Sequence, residues 1–149
     1  MMSARPFRDA RPPFALTADG PCARPIEVIQ LADAQSVLQQ LRQRNPDIVA
    51  AVVASTDGLA VHEDVAGGTD AEALAAMGSD IVLRAARMAE DVGQGAAQQV
   101  LVQSGGGYVV ASRVGDDFCL LVAAKVEASL GLLLISVRKA AAELAADLG

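Results

Sequence analysis

The alternation of apolar and polar positions divides the chain into eight segments. Leu31, Ala34, Val37, Leu38 and Leu41 recur at helical spacing on one face, and Asn45-Pro46 closes that helix because the residue before proline avoids helical backbone. Ile48–Ala54 is an unbroken apolar, β-branched run and predicts a buried strand. The turn Ser55-Thr56-Asp57-Gly58 returns it through a short strand over Leu59–Glu63. A long helix is predicted over Asp70–Val92, capped by Thr69 or Asp70 and stopped by Gly93-Gln94-Gly95. Three strands follow, Gln98–Ser104, Tyr108–Val114 and Phe118–Ala124, joined at Gly105-Gly106-Gly107 and Gly115-Asp116-Asp117. The last helix, Ser129–Leu148, carries the stripe Leu130, Leu133, Leu134, Val137, Ala141, Leu144 and Leu148. A hairpin and a three-strand meander around a central helix predict an α+β fold, with helices flanking a largely antiparallel sheet.

Composition adds four constraints. The 149 residues suffice for one ordinary domain, and aromatics supply only 3% of them, so small aliphatic side chains must build the core and a partner subunit would help it. A net charge of −6 argues against general nucleic-acid binding and against an anionic membrane surface. Five of the six prolines and four arginines fall within Met1–Pro25, so residues 1–30 read as a disordered Pro/Arg-containing tail ahead of a domain over residues 31–149. Cys22 and Cys119 do not make a disulfide framework, which fits a reducing cytoplasm, and no apolar run reaches the length of a membrane span.

Catalytic chemistry is not marked. His62 stands alone, without the further ligands of a metal site. Ser104-Gly105-Gly106-Gly107 leads into a strand, whereas a phosphate loop leads into a helix. Cys119, between Phe118 and Leu120, reads as core rather than as a reactive thiol. No cofactor, metal or catalytic constellation is expected, and the chain reads as a binding protein rather than an enzyme.

The central helix is the informative element. Its wheel has a polar arc of Glu72, Ser79, Asp80, Arg84, Arg87, Glu90 and Asp91. Opposite lie the large apolar residues Leu74, Met77, Ile81, Met88 and Val92, expected to face the sheet. Between them runs a shoulder of Ala71, Ala75, Gly78, Val82 and Ala89, small enough for two helices to approach closely. This shoulder is expected to form the seam of a homodimer. Leu83, exposed among Asp80, Arg84 and Arg87, then becomes a platform for another protein, doubled by two-fold symmetry.

The ordered set Ala51-Val-Val-Ala-Ser-Thr-Asp-Gly-Leu59, the helix ending in Gly93-Gln-Gly95, Gln99-Val-Leu-Val-Gln103 with Gly107-Tyr-Val-Val110, and Ala128-Ser-Leu-Gly-Leu132 leading into Arg138–Leu144 resembles the roadblock/light-chain-7 family, the family of the dynein light chain roadblock. The likeness covers about residues 31–149 and is nearest in kind to bacterial members of the MglB type. It implies a five-stranded antiparallel sheet flanked by helices, in the order α-β-β-α-β-β-β-α. It also implies a homodimer with the central helix and third strand at the seam, placing Val100 and Val102 on or near the paired edge. The function it implies is regulation of a Ras-like small GTPase, as an activating or binding partner. The alternative is a structural adaptor in a signalling or polarity complex that leaves GTP turnover unchanged. Arg84 and Arg87 read as surface salt-bridge partners, since no motif marks either as an arginine finger.

Overall fold

A computed structural model describes residues 23–148, with side chains from residue 33 onward. The elements are α1 (Ala23–Arg44), β1 (Ile48–Ser55), β2 (Ala60–Val65), α2 (Ala71–Asp91), β3 (Gln99–Ser104), β4 (Gly107–Val114), β5 (Phe118–Lys125) and α3 (Leu130–Leu148). This is the expected α+β order, with strand and helix ends within about two residues of the periodicity reading everywhere except at the start of α1. There the backbone is already helical at Ala23, which places Pro25 in the first turn, where its missing N–H costs nothing. The rest of the expected tail, residues 1–22, lies outside the described residues. The chain divides into two compact units after Asp33, and the second, from Ala34, carries the whole sheet.

The five strands run in the order β2-β1-β5-β4-β3, every neighbouring pair antiparallel. Helices cover both faces, which is why β1 is apolar at nearly every position instead of alternating. On one face Ala51, Val53, Val110, Leu120 and Val122 pack beneath Leu38 and Leu41 of α1 and Leu133, Val137 and Leu144 of α3. On the other, Val52, Ala54, Ala111, Cys119 and Leu121 pack beneath α2. The β3–β4 hairpin turns on Gly105-Gly106 alone, and Gly107 already belongs to β4. A Cβ at Gly107 would fall 2.1 Å from the Ala124 carbonyl oxygen, so the close strand pairing there requires glycine. With β3 at the edge, its outer row of backbone N–H and C=O groups has no strand partner among the described residues.

Candidate protein-binding face

The candidate site is built on α2 and the edge strand beside it. Asp70 caps the helix, its carboxylate accepting the Ala73 N–H at 3.1 Å, and Glu72 in the first turn favours the positive end of the helix dipole. At the far end Gly93, with φ 78°, donates its N–H to the Glu90 carbonyl at 3.0 Å and turns the chain out of the helix.

The face that α2 turns to the sheet is the small one. Ala71, Ala75, Gly78 and Val82 are buried against their own chain's strands. A Cβ at Gly78 would sit 2.4 Å from both methyl carbons of Leu121. The expected seam of Ala71, Ala75, Gly78 and Val82 is therefore corrected: close packing does select these residues, but the closely packed neighbour is the β-sheet. Ala89, one heptad beyond Val82 on the same face, is half-buried near the end of the helix.

The large apolar residues were expected to face the sheet, and here too the structure differs. Met77, Met88 and Val92 are 60%, 66% and 65% exposed. The physical reason is clearance: a helix lying close on a sheet has room beneath it only for small side chains, so larger ones splay to the flanks. Leu74, Met77 and Ile81 splay toward the open edge, where with Val100 and Val102 of β3 they line an apolar groove of about 170 Å³. Gly78 and Leu121 form its floor. Val100 is half-buried, and Val102 lies exposed at the edge. The exposed apolar surface thus spans the two elements expected at the seam, carried on α2 by a different set of side chains.

Ser79, assigned to the polar arc, is also buried. Its hydroxyl donates to the Ser55 carbonyl at 2.9 Å and lies 3.6 Å from the Cys119 sulfur. Burial pushes the Cys119 thiol up, with the Ser79 contact opposing in part, so the sulfur is a protonated core group.

The remaining arc is exposed. Arg84 donates to Asp80 at 2.9 Å, an i,i+4 pair of the expected kind, and at this exposure its stabilising effect is small. Leu83 is 53% exposed beside it, and Arg87 has no ion pair among the described residues. Asp80, Leu83, Arg84 and Arg87 thus form one apolar and charged patch, on the helix flank opposite the small buried face. His62 belongs elsewhere, on β2, with its partner in register Val53 facing α1. Burial holds its pKa below the usual histidine value.

Comparison with known proteins places this geometry. Residues 34–124 match the Roadblock/LC7 domain family. The uncharacterized protein MJ1340 of Methanocaldococcus jannaschii is 29% identical over 99 residues, which cover 66% of this chain and 86% of that protein. The solved Roadblock/LC7 domain from Streptomyces avermitilis is 26% identical, with a TM-score of 0.67 over 72% of this chain and 90% of that one. The gliding protein MglB from Thermus thermophilus shares the fold at 16% identity, with a TM-score of 0.72 over 79% of this chain and 90% of that one.

Proposed function

The chain belongs to the Roadblock/LC7 domain family, and from that premise we propose that it is a homodimeric, non-enzymatic regulator of a Ras-like small GTPase. The observation that carries the reading is the apolar row Leu74, Met77 and Ile81 continuing into Val100 and Val102 at an unpaired sheet edge. A second copy related by two-fold symmetry offers the same row and the same edge, and would cover both. The Asp80, Leu83, Arg84 and Arg87 patches of two such copies then lie on neighbouring helices. They form a joint face with exposed leucines and arginines, residue types suited to anchoring a protein partner. Solved MglB is described in a tetrameric arrangement, which supports self-association as a use of this fold. The expected tail, residues 1–30, is outside this reading, and the domain over residues 31–149 is proposed as the unit that acts.

The experiment pairs the protein with Ras-like GTPases from the same genome and measures both binding and the rate of GTP hydrolysis. Leu83→Asp combined with Arg87→Glu is expected to abolish binding while leaving the dimer intact in sedimentation. Binding by the unaltered protein with no change in hydrolysis would convert the reading to a scaffold. Full binding by the double variant would move the docking face away from α2.

A further inference from the structure

On the opposite face of the sheet, between α3 and the β3–β4 ribbon, lies an open groove of about 410 Å³, within the range of small-molecule sites. Strand alternation separates it from the apolar groove under α2. Gln99 and Ser112 face each other in register on the α3 side, whereas Val100, Val102 and Ala111 turn to the other. The sheet presents Gln98, Gln99 and Ser112, and the helix presents Arg138 with Ala141, Ala142 and Ala145. Arg113 also borders the groove, but it lies on the α2 side of the alternation, its guanidinium 3.9 Å from Asp116.

The polar groups of this groove are under-satisfied. The Gln99 Nε2 amide is buried with no hydrogen-bond partner. Ser112 is 5% exposed, and its hydroxyl has one contact, to the Gln98 carbonyl at 3.5 Å, the outer limit of a hydrogen bond. Arg138 has no ion pair among the described residues. Buried polar groups are ordinarily paired, so the unpaired Gln99 amide, beside a serine held only by a long contact, calls for a partner from outside the chain. An amide N–H₂, a hydroxyl and a guanidinium are all donors, and no carboxylate lines the groove although the chain carries a net charge of −6. A cation would meet the unopposed arginine, whereas an oxyanion would satisfy the amide and the guanidinium and would offer the Ser112 hydroxyl a shorter acceptor than the Gln98 carbonyl at 3.5 Å. The alanine methyls on α3 leave room for a short carbon skeleton behind it.

We propose that this groove binds a small molecule through a phosphate or carboxylate group held by Gln99, Ser112 and Arg138. The test is an NMR titration of the full-length ¹⁵N-labelled chain, with inorganic phosphate in one arm and succinate in the other, at constant ionic strength to remove general screening. Saturable shifts at the Gln99 side-chain amide and at the Ser112 and Arg138 amides are expected. Saturation by phosphate, by succinate or by both identifies the group recognised. Arg138→Gln, a change at an exposed helix position, is expected to keep the melting temperature and to weaken binding by about tenfold or more. Shifts that stay linear in both arms, shifts spread evenly over the arginines, or an unchanged affinity in Arg138→Gln would overturn the proposal.

Discussion

At position 78 the choice of residue is set by the distance from the helix backbone to Leu121. That leucine is fully buried beneath α2, and its methyls must shift to admit a Cβ built 2.4 Å from them. Alanine would gain about 1 kcal/mol of helix propensity. Overpacking a well-packed site typically costs about 1–3 kcal/mol. Gly78→Ala is therefore expected to be destabilising on balance, by roughly 1 kcal/mol, and Gly78→Leu by more. Urea unfolding at one fixed protein concentration reads this directly. An alanine variant as stable as the natural chain would mean that Leu121 yields into the apolar groove beside it at little cost. The sequence marks this glycine as a packing residue, because a helix-interior glycine carries a cost that something must offset. It does not say which neighbour is packed, and a helical wheel measures direction without measuring depth.

Among the elements, those with a single apolar stripe or a bounded apolar run were the legible ones. In α3, Leu133, Val137, Ala141 and Leu144 are buried as the spacing of the stripe requires, while Leu132 and Ile135 lie off it and are exposed. The wheel of α2 is apolar over about half its circumference, so two faces competed for the sheet, and clearance decided in favour of the smaller side chains. The donor groove was not legible at all. Gln98, Gln99 and Ser112 are ordinary polar strand-end residues and Arg138 an ordinary helix charge, and only the β3–β4 register and the lie of α3 bring them together. The contact of α1 with β2 has a consequence of its own. Arg42 of α1 donates to Asp64 at 2.7 Å and Gln35 to the Glu63 carbonyl at 2.9 Å, and His62 shares that strand with its pKa lowered by burial. The unfolded chain takes up the imidazole proton near the ordinary value of about 6.5, and the folded chain only at lower pH. Below that value the unfolded state binds more protons, so His62 costs stability as the pH falls through the window and costs none above it. His62→Gln is expected to flatten the decline in unfolding free energy as the pH falls below about 6.5, with no change near pH 8. Parallel curves for the two proteins would show that burial does not disfavour the charged imidazole here.

For the whole molecule, the proposed pairing through the apolar row along α2 and the unpaired edge of β3 would make stability a function of concentration. Met77 and Ile81 stand 60% and 40% exposed in the single chain, and Val102 43%. If a second copy covers them, the folded dimer is favoured over unfolded monomers by mass action, and each tenfold rise in concentration is worth about 1.4 kcal/mol of dimer. The melting temperature is then expected to climb by about a few degrees per tenfold rise in concentration. Ile81→Asp places a carboxylate in the groove, where a second copy would bury it without a partner, while in the lone chain the same carboxylate remains partly hydrated. It is therefore expected to leave the low-concentration melting temperature nearly unchanged, abolish its concentration dependence and sediment as a monomer. Gly78→Leu separates this effect from core damage, because it should lower the melting temperature at every concentration. A natural chain that melts at one temperature across a hundredfold range of concentration would sink the dimer and leave the groove to a different partner.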